Sequence, residues 1–489
     1  MNTAFTLLGS WLIAFAGLAE ARAAKAATKP NIVFILADDL GYGDLGCYGQ
    51  RQIQTPNIDR LAREGMRFRQ FYAGASVCAP SRSVLMEGKH GGRCRVRGNA
   101  PLTQRARQTL TRDDTTVAML LKQAGYATAL VGKWGLGMDD MPGHPLEQGF
   151  DLFFGYLDQV HAHNYFPDYV WRNREKVTLP NEVRPIPVGK DGMWGLSGIA
   201  TKKAVYSPKL MLDEALRFIE QSRQRPFFLY YATTIPHANN EAAKELGDGS
   251  EVPDLGLYQD KPWPAPEKGY AAMITYLDTQ VGVILQRLKQ LGLDDNTLVI
   301  FSSDNGPGLQ QSTGYAPEFF KSAGPFRGFK RDHYEAGIRV PFIARWPGKI
   351  QPGSESAHVG YFGDFLATAA ELAGVKTPAG LDSISLAPTL LGRAGGQRRH
   401  DFLYWEYHAG NGSTQAALMD GRWKGVRNAP RAPLELYDLA ADPGEAQDVA
   451  AKHPDLVAKI TDYIKTARED SPNWPLRNPS APAKKGTKP

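Results

Sequence analysis

The chain has 489 residues, with 57 basic against 51 acidic side chains, a formal net charge of +6 and 42% apolar residues. These are the values of a globular protein and lie outside the disordered class; collagen-like, coiled-coil and multi-span membrane architectures are excluded. The positive excess is small and dispersed, with no basic run or aromatic–basic repeat, so nucleic acid is not expected as a partner, whereas an anionic small substrate is compatible.

At the start of the chain, Phe5 to Ala19 forms an apolar stretch shorter than the ~20 residues a spanning helix needs. Ala21-Arg22-Ala23 follows as a small-x-small cleavage site, so residues 1–23 read as a signal peptide, although no Lys or Arg precedes the apolar stretch. No later segment is long and apolar enough to span a membrane. The mature chain is expected in the periplasm or outside the cell. Three cysteines in such a chain make an odd count. Cys47 and Cys94 could pair and leave Cys78 alone, or all three thiols could be free; spacing does not decide.

The folded part opens with Asn31 to Ala37, a continuous apolar run of the kind expected for a parallel strand buried on both faces. Thr55-Pro56 predicts an N-cap and first helical residue for a helix to about Met66. Thr116 to Gln123 predicts a helix, and Tyr126 to Val131 a second strand. Helix Pro208–Gln221 precedes strand Pro226–Thr233, and the amphipathic stretch Tyr270–Leu291 leads into strand Thr297–Phe301. Val340 to Arg345 is a further apolar run. This alternation predicts an α/β fold with a large, mainly parallel central sheet and helices on both faces.

Ligands of such sheets bind outside the carboxyl ends of the strands. Asp38-Asp39, Lys133, His237 and Asp304-Asn305 stand at four predicted strand ends. Polar strand ends are ordinary, but four together carry a common chemistry. Three carboxylates and an amide oxygen suit a hard cation, Ca²⁺ or Mg²⁺ rather than zinc, and would repel one another without one.

Between the first two of these ends lies Cys78-Ala79-Pro80-Ser81-Arg82. With Asp38-Asp39, Gly132-Lys133-Trp134, Asp304-Asn305-Gly306 and Lys330, it resembles the sulfatases that mature a cysteine to formylglycine, within the alkaline phosphatase superfamily. The resemblance runs from about Pro30 to about Ile460, and His161-Ala-His-Asn-Tyr-Phe-Pro167 with Ile235-Pro-His-Ala-Asn-Asn240 looks like bacterial sulfatases acting on sulfated glycans. Residues 471–489, rich in Pro, Lys, Ala and Ser, are expected to form a mobile tail, and the resemblance implies a catalytic domain over 30–380 and a smaller C-terminal α+β subdomain over 381–470. It also implies that a formylglycine-generating or sulfatase-maturing enzyme converts Cys78, whose aldehyde hydrate offers one hydroxyl to attack sulfur and a second to expel sulfate.

By the same resemblance, Asp38, Asp39, Asp304, Asn305 and the modified Cys78 hold one divalent metal, Ca²⁺. Arg82 positions the hydrate, Lys133 and Lys330 bind sulfate oxygens, and His237 protonates the leaving oxygen. Lys321, Arg327 and Arg331 compete with Lys330, which the frame Arg327-Gly-x-Lys330 favours. Many relatives carry a His where this chain has Gly135; His161 or His163 is expected to replace it, with His163 preferred. Glu87 stands where Thr is common. Arg95, Arg97, Asn99, His408 and Gln415 are candidates for sugar recognition, with a galactose-type sulfate as one target. Two other readings stay open on this scaffold: a phosphonate monoester or phosphodiester hydrolase, and a non-catalytic glycan binder.

Overall fold

The computed structural model describes residues 29–409 and 412–479, so the signal-peptide reading of residues 1–23 lies outside the described residues. Ten strands form the main sheet, in the order Ser354–Ser356, Met66–Phe68, Phe342–Arg345, Thr297–Ser303, Asn31–Ala37, Phe227–Ala232, Ala127–Lys133, Leu152–Tyr156, Tyr169–Arg172 and Glu175–Thr178. The central strands pair in parallel, while Phe342–Arg345 runs antiparallel to Thr297–Ser303 and the last two strands form an antiparallel edge.

Strand Asn31–Ala37 shows why the centre is parallel. All seven residues are buried, and alternate side chains feed opposite cores. Ile32, Phe34 and Leu36 join one apolar cluster, and Val33, Ile35 and Ala37 join the other. Each of these larger side chains contributes about 1.5–3 kcal/mol on burial, before conformational entropy is counted. Helices Cys78–Glu87, Val117–Gln123 and Asp364–Ala373 cover the first face. Helices Pro56–Glu64, Ser207–Gln221 and Ala265–Gln290 cover the second.

The predicted helix at Pro56 forms, but not by the expected cap. Thr55 makes no capping bond, because its hydroxyl accepts from Gly46 N (2.9 Å) and faces Asp59 Oδ1. The carboxylate of Asp278, on the long helix, accepts from Asn57 N (2.9 Å) and Ile58 N (2.7 Å) instead. At Val117, by contrast, a local Thr does cap the helix, with Thr116 accepting from Met119 N.

The C-terminal part is a four-stranded antiparallel sheet of Phe402–Ala409, Gly412–Met419, Trp423–Arg427 and Glu435–Asp438, covered by helix Pro454–Ala467. It shares its core with the main sheet through Trp405, whose indole donates to Ala73 O (2.9 Å). Lys424, fully buried, sits 2.8 Å from Glu335 and 2.9 Å from Glu445 and fastens the small sheet to the loop region after Thr297–Ser303.

One expectation is corrected here, and one open alternative is decided. Residues 471–479 do not begin a mobile tail: Trp474 is fully buried and donates to Arg95 O (3.0 Å), and Ser413 N donates to Arg477 O (2.8 Å). One large apolar side chain outweighs the Pro- and Lys-rich composition around it. The pairing of Cys47 with Cys94 is absent, since all three cysteines are free thiols. Cys94 belongs to one core cluster and Cys47 packs against the other. Among the described residues no helix is long and apolar enough to cross a membrane.

Candidate active site

The central strands deliver their carboxyl ends to one place. Asp39 has a left-handed backbone (φ 65°), a conformation of the kind that non-glycine residues keep at over-determined sites. The determinants are visible: Asp39 N donates to Asp304 Oδ1 (3.2 Å), Leu40 N to Ser303 Oγ (2.9 Å), and Asp304 N to Ala37 O (3.0 Å). Cys78 is the first residue of its helix, whose ten residues are all buried. Its Sγ lies 3.5 Å from Asp38 Oδ1 and 3.8 Å from Lys133 Nζ, at the helix end that favours anions.

Cations and carboxylates alternate around it. Lys133 Nζ is 2.6 Å from Asp38 Oδ2, Lys330 Nζ is 2.7 Å from Asp39 Oδ2, and Arg82 forks onto Asp304 Oδ2 at 2.8 and 3.1 Å. Arg82 also donates to Lys133 O, so it braces the end of strand Ala127–Lys133 and is absent from the cavity wall. Lys321, with a left-handed backbone, closes a turn, and Arg327 reaches Tyr437 and Glu445 O; Arg331 also lines the cavity, but Lys330 is the one of the four whose side chain bonds a site carboxylate.

Burial and charge set the protonation states. Burial opposes ionisation of Asp38, but Lys133, His237 and Arg82 outweigh it and hold that carboxyl far below its usual range. Asp304 is pushed up to about 6 by burial and by Asp38, with Arg82 only partly offsetting them. Burial lifts the Cys78 thiol to about 12 despite Lys133 and Lys330, so an unmodified Cys78 is a thiol and a poor nucleophile at neutral pH.

His237 lies beyond a cis peptide at Ile235–Pro236. Its Nδ1 donates to Ala238 O (2.7 Å), which leaves Nε2 to accept from Lys330 Nζ (3.1 Å). Burial, then Lys330, drive its pKa down to about 3. Of the two histidines proposed to replace the one missing at Gly135, only His163 reaches the site. It stacks on His237 with ring centroids 4.9 Å apart and bonds Glu241 Oε2 (2.9 Å). His161 is buried against Tyr169 outside the cavity, which lowers its pKa to about 4.

Asp38, Asp39, Cys78 and His237 each offer a ligand atom within 4.8 Å of one another. The donor chemistry favours a different fourth partner. Both nitrogens of His237 are engaged, whereas Asn305 Oδ1 is buried with no hydrogen-bond partner, its amide nitrogen held by Asp39 Oδ1 (2.7 Å) and Gly306 O. Three carboxylates and one orphaned amide oxygen fit a hard divalent cation.

These groups open into a cavity of about 610 Å³ lined by Cys78, Lys133, His163, His237 and Lys330, with Tyr407 and His408 of the small sheet on its far side. The sugar-contact candidates divide. Asn99 and His408 line the cavity. Arg95 is bound by Asp114, Arg97 by Glu406 and Glu469 O, and Gln415 by Tyr404, all outside its lining. The sequence reading missed Gln159, Trp194, Glu241 and Tyr407, which carry no motif of their own.

Comparison with known proteins agrees with this geometry. The profile described as "Sulfatase" matches residues 30–375, and one described as "N-sulphoglucosamine sulphohydrolase, C-terminal" matches residues 325–470. The chain belongs to the sulfatase family and is an enzyme, a sulfuric ester hydrolase. It is 32% identical to an N-acetylgalactosamine-6-O-sulfatase of Bacteroides thetaiotaomicron, covering 90% of this chain and 93% of that one. It is 36% identical to the N-acetylgalactosamine-6-sulfatase of Homo sapiens, over 76% of this chain and 67% of the other. Among solved structures, Ps i-CgsB in complex with k-i-k-neocarrahexaose aligns with a TM-score of 0.75 at 27% identity, covering 92% and 95% of the two chains.

Proposed function

We propose that this sulfatase removes sulfate from a sulfated sugar or polysaccharide, outside the cytoplasm, with Cys78 matured to formylglycine by a dedicated maturing enzyme and one Ca²⁺ held by Asp38, Asp39, Asp304 and Asn305. The observation that carries the reading is the convergence of Cys78, Lys133, His237 and Lys330 on one cavity. The names of the amino-sugar sulfatases to which the chain is 32–36% identical support a sugar ester.

Formylglycine, once hydrated, supplies paired hydroxyls where the thiol stands. A divalent cation bound beside it lowers a hydroxyl's pKa and polarises a sulfate oxygen. The remaining work falls to the side chains. Lys133 and Lys330 neutralise the sulfate oxygens as charge builds on them. Arg82, held by Asp304, fixes the position of Lys133 rather than touching substrate. The Nε2 of His237 faces the cavity and hands a proton to the leaving sugar oxygen. The negative charge of a bound sulfate ester opposes the part of the lowering that Lys330 adds to that of burial, and so favours a proton on Nε2. His163, stacked on His237 and oriented by Glu241, takes the base role that Gly135 cannot supply.

Peptide mass spectrometry across position 78 after co-expression with a maturing enzyme tests the nucleophile. Formylglycine there, with turnover of sulfate esters in preference to phosphonate and phosphodiester analogues, is the expected result. A persistent thiol would favour the binder, and preference for the phosphorus esters would favour the second hydrolase. Cys78→Ala is expected to abolish turnover with the fold intact.

A further inference from the structure

The cavity has a second wall that the sulfate chemistry does not use. Asn99, Gln159, Val160 and Trp194 line both the main cavity and a recess of about 50 Å³ adjoining it. Three amide atoms on this wall lack partners: Gln159 Oε1 and Nε2, and Asn99 Oδ1, are buried without a hydrogen bond. Buried polar atoms left unpaired are few in native proteins, and each needs a reason.

The surroundings hold Gln159 in place. Asp158 Oδ1 accepts from Val160 N (2.6 Å) and His161 N (2.9 Å), and Arg105 pairs with the same carboxylate, so the backbone either side of Gln159 is fixed. Gly135 (φ 84°) makes the space: a Cβ there would lie 1.7 Å from Gln159 Nε2. The glycine at that position thus vacates volume that the Gln159 amide fills. Gln108 ties the two loops together, donating to Gly135 O (3.0 Å) and accepting from Ala100 N (2.7 Å), next to Asn99.

The wall carries no net charge. Arg105 borders the recess but is neutralised by Asp158, and Trp194 adds an aromatic surface. Such a surface suits an uncharged, hydroxyl-bearing ring, and offers no cation to a carboxylate or a second sulfate. We propose that Asn99 and Gln159 bind uncharged hydroxyl groups of the sugar ring that carries the sulfate, with Trp194 beside the ring. This subsite rests on the sugar-sulfate reading above.

The test uses the matured, calcium-loaded full chain and its Gln159→Leu and Asn99→Leu variants. Galactose 6-sulfate, N-acetylgalactosamine 6-sulfate and N-acetylglucosamine 6-sulfate are compared with 4-nitrophenyl sulfate, whose ring has no hydroxyls to read. For the sugar ester turned over fastest, each variant should lose roughly tenfold in kcat/KM, the scale of a lost neutral hydrogen bond. The loss on 4-nitrophenyl sulfate should be at least fivefold smaller. The melting temperature of Gln159→Leu should not fall, since the change removes unpaired buried polar atoms; Gln159→Met serves if the leucine variant does not fold. Equal losses on sugar and aryl esters, or a lower melting temperature that accounts for them, would overturn the subsite. So would an unsubstituted enzyme that hydrolyses 4-nitrophenyl sulfate and no sugar ester. Hydrolysis of none of the four would instead overturn the reading on which the subsite rests, that one sulfated sugar ring is the group acted on.

Discussion

Replacing Lys424 with methionine should cost more stability than any surface change, and should do so in a pH-dependent way. The ammonium and both its carboxylate partners are fully buried, at 2.8 Å from Glu335 and 2.9 Å from Glu445. Removing one member of a buried ionic group typically costs about 3–5 kcal/mol, because the partners stay behind unpaired. The lower end applies here. Glu335 keeps Arg339 at 3.0 Å and the Tyr72 hydroxyl, whereas Glu445 keeps only the Glu335 N–H (2.6 Å). For a chain of this size about 1 kcal/mol moves the melting temperature by roughly 1 °C, so a drop of ~3–4 °C is expected. The sign with pH follows from the carboxylates. Burial has already lifted Glu445 to about 7 even with Lys424 present, while Lys424 and Arg339 hold Glu335 below its usual range against burial. Without Lys424 both rise, so the folded state retains protons that the unfolded chain has lost above about pH 4.5. The deficit should therefore be smallest near pH 5 and grow toward pH 8. Thermal and urea unfolding at both values measure it. A deficit under ~1 kcal/mol, or one independent of pH, would refute the reasoning.

His237→Ala should lower kcat/KM on a sugar sulfate by ~10²–10⁴-fold and cost far less on an aryl sulfate, whose leaving group scarcely needs a proton; equal losses would move the acid role elsewhere. Asp304→Ala should abolish activity, and calcium should raise the melting temperature of the parent protein but not of this variant; a chelator without effect on rate or melting would dismiss the metal site. Glu87 is raised to about 7 by burial and by Asp114, so the parent loses stability as pH climbs from about 4.5 to 7, by at most ~3 kcal/mol. Glu87→Gln, which cannot ionise, should gain on the parent between pH 5 and pH 8 in urea melts, and a constant difference would show that the carboxyl is not held neutral.

The sheet was legible because its central strands are buried on both faces and so read as unbroken apolar runs, as Asn31–Ala37 and Phe227–Ala232 do. Strand Leu152–Tyr156 escaped notice, being short and broken by Gly155. The helix at Pro56 is legible but its cap is not: the sequence offers a local Thr, whereas a carboxylate 221 residues away accepts from the helix's first N–H groups. At the site, the residues at strand ends were named from their position and motif, and the structure brings Asp38, Asp39, Cys78, Lys133, His237, Asp304, Asn305 and Lys330 together. The choice between His161 and His163 could be ranked but not resolved from two positions in one short turn, since the ring that faces the cavity depends on where Glu241 and His237 stand. Gln159 had no signal at all. Its importance arises only from what Gly135 leaves empty.

The burial of helix Cys78–Glu87 also sets an order of events during synthesis. Pro80, Ser81 and Arg82 are inaccessible in the finished fold, and Cys78 is 3% exposed. Any protein that reads these residues has to meet them before the sheet closes over them. The cavity wall draws on residues from Val77 to Pro479, so its last member leaves the ribosome some 400 residues after its first. At translation rates of 5–20 residues per second, that leaves at least roughly 20–80 s in which position 78 has been made and its enclosure has not.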